Sequence, residues 1–329
     1  MKHGGDLTEA MAQHGGTPDD WLDLSTGINP RPWPVPVLPD ALWQRLPSRA
    51  DETRLLDAAR TAYNVPAGVD IAAAAGTQML IQWLPRLAPE GAVAIVSPTY
   101  NEHAAAWNVV GREVIAVATL DAIPERARHV VIVNPNNPDG RMLDHAALAH
   151  IAGILQERSG WLVIDEAFVD IDPAMSAIAL CRDLPVIVLR SFGKFYGLAG
   201  LRLGFVIGGP EIVHRCAAAL GSWACSGPAI AVGAAALRDI DWAERTRTDL
   251  HRQAQQLDNV LRAAGFTIVG GTDLFRLARH PHASLYHERL AHKHIWCRSF
   301  DWASELLRFG LPGDDAELKR LAIALAKCK

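Results

Sequence analysis

The stretch Pro185-Val186-Ile187-Val188-Leu189-Arg190-Ser191-Phe192-Gly193-Lys194 decides the fold. Its first five residues form an apolar, β-branched run, the signature of a strand buried on both faces. The lysine that follows stands in a Ser/Gly turn at the strand's end, where open α/β sheets build their sites. Alone, Lys194 reads more readily as a solvated surface cation. Three other segments change that. Asn134-Pro135-Asn136-Asn137-Pro138-Asp139-Gly140 follows the apolar run 130–133, and Asp165-Glu166-Ala167-Phe168 follows Trp161-Leu162-Val163-Ile164. Arg202, in the turn Gly200-Leu201-Arg202-Leu203-Gly204, comes 202 − 194 = 8 positions after Lys194.

Successive strand ends thus carry an amide, a carboxylate, an amine and a guanidinium. This set suits an anionic heteroaromatic cofactor with a basic ring nitrogen and a carbonyl. The runs at 92–97, 130–133, 162–164, 186–189 and 204–208 alternate with helical patterns near 144–158 and 211–220. Such alternation argues an α/β fold, with a mainly parallel central sheet and helices on both faces. Residues 55–63 read as a short helix, and 229–264 as helix leading to a smaller α+β unit with strands near 267, 275 and 295. The first 35 residues show little periodic structure. The domain expectation is an arm over 1–35, a large domain over 36–235 and a small C-terminal domain over 236–329.

The chain's 329 residues give ample core, and 50% hydrophobic with 21% charged residues is a globular balance. A net charge of −4 offers no basic face for nucleic acid. The five scattered cysteines form no C-x-x-C pair, so neither a disulfide framework nor a metal site is indicated. No apolar run nears the roughly 20 residues that span a bilayer, and the polar residues 1–16 lack a signal-peptide core. The expectation is a cytoplasmic protein with no membrane partner.

Two more segments bear on ligands. Ala72-Ala73-Ala74-Ala75-Gly76-Thr77-Gln78 leads into a helical pattern. Gly76 lets a ligand approach the backbone, Thr77 can cap the helix, and the free N–H groups at Thr77 and Gln78 make an anion seat. A plain N-cap would also account for this segment. After the run 92–97 come Pro98-Thr99-Tyr100-Asn101-Glu102-His103, whose aromatic could equally be core, while His103 reads as packing nearby.

In this order the segments resemble the fold-type I pyridoxal-phosphate (PLP) enzymes of the histidinol-phosphate aminotransferase branch. Within it, the chain looks most like the threonine-phosphate decarboxylases of cobalamin biosynthesis. The likeness runs from His3 to about Phe309. It implies that PLP is held covalently by Lys194, with Asp165 paired to its ring nitrogen and Tyr100 stacked on its ring. Asn137 would donate to the ring oxygen, and Gly76, Thr77, Gln78, Ser191 and Arg202 would bind its phosphate. The arm, with His3-Gly4-Gly5 and Ser25-Thr26-Gly27-Ile28-Asn29-Pro30, would bring His3, Ile28 and Asn29 to the substrate. Arg308, with Arg298 as second candidate, would meet a substrate anion, and Asn137 would touch substrate too.

The likeness also implies a homodimer. Many relatives carry Arg-Tyr-Pro-Asp where this chain has Arg45-Leu46-Pro47-Ser48, so the tyrosine that reaches a partner's cofactor phosphate is Leu46 here. Where many aminotransferases have a tyrosine three residues after the aspartate, this chain has Phe168, as the decarboxylase branch commonly does. The function expected is decarboxylation of L-threonine O-3-phosphate. A histidinol-phosphate or aromatic aminotransferase, and a non-catalytic PLP-fold regulator, are the alternatives.

Overall fold

The computed structural model describes residues 4–328. The chain lays down β1 (Leu22–Leu24), then β2 (Asp70–Ala74), β3 (Ala92–Val96), β4 (Val114–Val117), β5 (Ala127–Val133), β6 (Leu162–Asp165), β7 (Val186–Ser191) and β8 (Gly204–Gly208). Four more strands follow: β9 (Thr267–Thr272), β10 (Phe275–Arg279), β11 (Ile295–Phe300) and β12 (Ala303–Gly310). They make two sheets, ordered β2-β8-β7-β6-β5-β3-β4 and β1-β11-β12-β10-β9. Each sheet lies in its own compact unit. The larger unit is Trp33–Asn137 with Arg141–Ala243; the smaller is the described part of Met1–Pro32, Pro138–Gly140 and Glu244–Lys329.

In the larger unit, β4, β3, β5, β6 and β7 pair in parallel, and β8 inserts antiparallel between β7 and β2. β2 therefore points the same way as β7, and six strands end at one edge. Every residue of β3, β6 and β8 is buried, which is why these runs are apolar without alternation. One face packs Val93, Ile95, Val131, Val163 and Ile187 against Leu80, Leu84 and Trp107. The other is met by the helix His145–Glu157, which lies on β5 and β6. The α/β expectation holds, with helices on both faces.

The helix expected over 55–63 in fact runs Arg49–Ala62. Its first turn is polar and so lacks an apolar stripe, but a capping box sets the start: Ser48 Oγ accepts the Asp51 N–H, and Asp51 accepts the Ser48 N–H at 2.8 Å. Arg45 locks this cap by donating through both Nη atoms to Asp51, at 2.6 and 3.2 Å.

In the smaller unit, residues 4–32 are more structured than their sequence suggests. They hold the helix Thr8–His14 and strand β1, which extends the sheet by parallel pairing with β11. Ala10 and Met11 of the helix, with Leu7 at its cap position, meet Trp21, Ala291 and Trp296. Two packed apolar residues on a seven-residue helix are too few to show as periodicity. Among the described residues, no helix is long and apolar enough to cross a membrane.

Candidate active site

The carboxyl edge of the larger sheet gathers the residues expected at a cofactor by register alone. Ser191 is level with Gly204, and Gly204 with Ala74. One strand further, Asp165 is level with both Leu189 and Val133. The turns after β2, β5, β6 and β7 and before β8 therefore emerge side by side, carrying Gly76, Asn137, Asp165, Lys194 and Arg202.

The anion seat begins at Gly76, whose φ of +84° favours glycine. A Cβ there would come 2.6 Å from Nη2 of Arg202, so the guanidinium lies against bare backbone. A Cβ on Gly204 would come 2.6 Å from the Thr77 amide nitrogen, which packs these turns equally close. The expectation that Thr77 caps the helix is corrected: Gly76 holds the cap position of the helix Thr77–Leu87, without a side-chain cap bond, and Thr77 is the first helical residue. Its N–H is thus among the helix's unpaired first donors, as the anion seat requires. Arg202 is held in a left-handed conformation (φ +54°) and donates to the Ala199 carbonyl at 3.2 Å.

Lys194 stands on a one-turn helix, Phe192–Phe195. Phe192 and Phe195 are buried and anchor that turn, with Phe192 stacked on Tyr196 at 4.4 Å. Gly193 is tied to close packing, since a Cβ would meet the Ala199 Cα at 2.7 Å. The lysine Nζ is 5.9 Å from the centre of the Phe168 ring.

Asp165 is 3% exposed. Its Oδ1 accepts the Ala167 N–H at 3.0 Å, and its Oδ2 lies 2.9 Å from Nε2 of His103, itself 2% exposed. His103, expected from the sequence only to pack nearby, thus contacts the strand-end carboxylate directly. It is the second residue of the helix Glu102–Val109, while Tyr100 precedes that helix's Asn101 cap, so no helical spacing links the two, and its partner Asp165 stands 62 positions away. Tyr100 donates to Gln78 Oε1 at 3.3 Å, and Gln78 donates to Glu102 at 2.7 Å. The side chain of Gln78 therefore steadies the aromatic. Burial, aided by the negative charges of Glu102 and Asp165, pushes the Tyr100 phenol up to about 12. It stays neutral at physiological pH.

Consecutive strand residues face opposite sides, so Glu166 and Arg190 turn away from the edge site, below it. Glu166 accepts from Ser176 Oγ at 2.7 Å and the Ala177 N–H at 2.6 Å. Arg190 pairs with Asp170 and lies 3.5 Å from Glu166. The guanidinium also sits 4.1 Å from the centre of the buried Tyr63 ring. Burial raises the Glu166 carboxyl, and the Arg190 charge works against that. The cluster ties the loop after β6 to β7 and so fixes the spacing of Asp165 and Ser191.

The other expected contacts lie in the smaller unit. His3 is outside the described residues. Ile28 is half-buried, and Asn29 is buried with its Oδ1 accepting the Arg31 N–H at 2.9 Å. Arg298 and Arg308 are direct cross-strand neighbours on β11 and β12. Arg308 donates to the Ser25 carbonyl at 2.5 Å, and its guanidinium carbon is 5.2 Å from the centre of the Phe275 ring. Burial, then the neighbouring Arg298 charge, lowers Arg308 to about 10, with Asp23 acting in the opposite sense. Two adjacent guanidinium groups, one buried, make a strong oxyanion receptor.

The larger unit's set fits PLP part by part. The bare backbone at Gly76 with Arg202 across it suits a phosphate. The buried Asp165 carboxylate suits a protonated ring nitrogen, and the Lys194 amine suits an aldehyde.

Comparison with known proteins bears on the same point. Residues 52–325 match the family described as aminotransferase class I and II. A threonine-phosphate decarboxylase of Sinorhizobium sp. is 46% identical over 99% of this chain and 97% of its own. One from Pseudomonas aeruginosa is 40% identical over the same shares, 99% and 97%. The crystal structure of histidinol-phosphate aminotransferase from Sinorhizobium meliloti in complex with pyridoxal-5'-phosphate superposes with a TM-score of 0.83. It covers 98% of this chain and 94% of its own at 23% identity, a likeness of fold.

Proposed function

The chain belongs to the class I and II aminotransferase family, and from that membership we propose that it is a PLP-dependent decarboxylase of L-threonine O-3-phosphate. The product is (R)-1-amino-2-propanol O-2-phosphate, used in cobalamin biosynthesis. The observation that carries this reading is the 46% identity, over 99% of the chain, to a threonine-phosphate decarboxylase. The strand-end set of Asn137, Asp165, Lys194 and Arg202 supports the chemistry.

Lys194 would supply the amine that holds the cofactor's aldehyde. Asp165, backed by His103, would favour a proton on the ring nitrogen. Backbone N–H groups at Gly76, Thr77 and Gln78, with Ser191 and Arg202, would hold the cofactor phosphate, and Tyr100 and Asn137 would hold its ring. When bound, PLP supplies an electron-poor ring that takes up the electron pair left at the substrate Cα. Arg308 receives the substrate carboxylate, with Arg298 beside it, and His3, Ile28 and Asn29 serve its phosphate. Lys194 Nζ, or a water it orients, returns a proton to Cα after CO2 leaves. Phe168 offers no hydrogen-bond donor and covers Lys194 with an apolar ring.

We place the enzyme in the cytoplasm as a homodimer. Val35, Val37, Trp43 and Leu46 are 48%, 100%, 68% and 64% exposed within twelve residues, an apolar surface that a second copy would cover.

The test is incubation with L-threonine O-3-phosphate and PLP, with CO2 measured and the amine identified by mass. Lys194→Ala should abolish both turnover and the bound cofactor's visible absorbance. Formation of a keto acid with 2-oxoglutarate, in place of CO2, would make the enzyme an aminotransferase.

A further inference from the structure

The segment after β1 in the smaller unit connects two features that its sequence keeps far apart. Ser25 is 1% exposed. Its Oγ accepts the Gly5 N–H at 2.8 Å and donates to Asp23 Oδ1 at 2.6 Å, and its N–H donates to the same oxygen at 2.8 Å. Its carbonyl accepts from Arg308 Nη2 at 2.5 Å. One buried residue therefore bridges the Gly4–Gly5 turn to a buried guanidinium.

The approach is too close for other residues. A Cβ on Gly4 would come 2.2 Å from the Ser25 carbonyl oxygen, and one on Gly310 would come 2.3 Å from that of Thr26. Gly5 has φ +89° and would also crowd Thr26. The turn, the Ser25 segment and the end of β12 are thus stacked backbone on backbone. Asp23 is the acceptor that orients Ser25, and its negative charge also favours the charged form of Arg308.

We propose that Ser25, oriented by Asp23, is a positioning residue that locks the Gly4–Gly5 turn onto the carbonyl aiming the Arg308 guanidinium at a substrate oxyanion. The proposal rests on the reading of Arg308 as an oxyanion ligand for a phosphorylated amino acid. A guanidinium is a planar fork, and anchoring one nitrogen to a fixed carbonyl sets the plane in which the fork meets an oxyanion. The long side chain then loses little freedom on binding, which favours affinity through preorganisation. Ser25 touches no reacting atom, so its effect belongs in substrate affinity and not in the chemical step.

The test uses the full-length, PLP-loaded enzyme. Amide exchange at Gly5 reports the lock, and stopped-flow absorbance titration with L-threonine O-3-phosphate reports the site. Ser25→Ala should raise Gly5 exchange and weaken phosphothreonine binding at least tenfold, with kcat, cofactor absorbance and melting temperature near wild type. Ser25→Thr, which keeps the hydroxyl, should restore both readouts. Asp23→Asn keeps a weaker acceptor and should shift both in the same direction by less; it also serves if Ser25→Ala does not fold. The proposal is overturned if Gly5 exchange rises while phosphothreonine affinity holds, or if cofactor affinity and melting temperature fall along with it. A wild-type enzyme that binds phosphothreonine without releasing CO2 would sink the decarboxylase reading, while the Ser25 comparison would still stand on affinity.

Discussion

Nε2 of His103 and Oδ2 of Asp165 lie 2.9 Å apart, with neither residue more than 3% exposed. A buried carboxylate without a hydrogen-bond partner is costly, so this pairing decides how Asp165 stands at the strand end. A hydrogen bond to a charged group is worth about 1.5–3 kcal/mol, and each 1.4 kcal/mol is about tenfold in rate. His103→Ala should therefore lower kcat by about tenfold or more while PLP still binds through Lys194. Asp165→Asn should lower it by orders of magnitude. Adding His103→Ala to Asp165→Asn should then cost little, because the two residues act as a unit. Steady-state kcat for both single variants and the double decides this; fully additive losses would show that His103 acts independently of Asp165.

His129 supplies a pH test remote from Lys194. It is fully buried, 5.2 Å from the Trp107 ring and 5.9 Å from that of Trp161. Nε2 lies 3.0 Å from the Pro89 carbonyl oxygen, and Nδ1 accepts the Trp161 N–H at 3.2 Å. Burial lowers its pKa from 6.5 to about 4. The unfolded chain thus takes up this proton near pH 6.5, whereas the folded chain does so only near 4. The stability linked to His129 is complete above pH 6.5, falls as the pH drops, and is lost by about pH 4. The amount is on the order of 3 kcal/mol. His129→Gln should be less stable than wild type at pH 7.5 yet lose less on acidification from 7 to 4.5. Parallel melting-temperature curves for the two proteins over that range would contradict the assignment.

The sheet was legible because its strands are buried on both faces, so apolar runs such as 186–189 and 204–208 mark them without reference to anything distant. The strand-end placement of Asp165, Ser191 and Lys194 was legible for the same reason, since these residues directly follow those runs. What stayed hidden depends on partners far along the chain. β1 is three residues long and exists as a strand because β11 lies beside it. His103 finds Asp165 across 62 positions, and Ser25 finds Arg308 across 283. Thr77 misled because a threonine before a helical run usually caps it, whereas here the +84° φ of Gly76 turns the chain one residue earlier.

Arg308 stands in an environment that ties substrate affinity to pH. Burial and the Arg298 charge lower it to about 10, so it is fully charged near pH 7 and loses its proton at a pH where most arginines keep theirs. Affinity for L-threonine O-3-phosphate should therefore fall as the pH rises through about 10. Arg298→Gln removes the like charge on the neighbouring strand, so that fall should move to higher pH. A Lys at 308 keeps the charge but loses the planar fork and the anchored geometry at Ser25. Arg308→Lys should raise KM for phosphothreonine by about tenfold or more at pH 7.5, which corresponds to about 1.4 kcal/mol, while leaving the bound cofactor's absorbance intact. Stopped-flow affinity for wild type, Arg308→Lys and Arg298→Gln across pH 8 to 10.5 separates these effects. If Arg308→Lys costs nothing, the carboxylate anchor lies elsewhere and Arg298 becomes the residue to test.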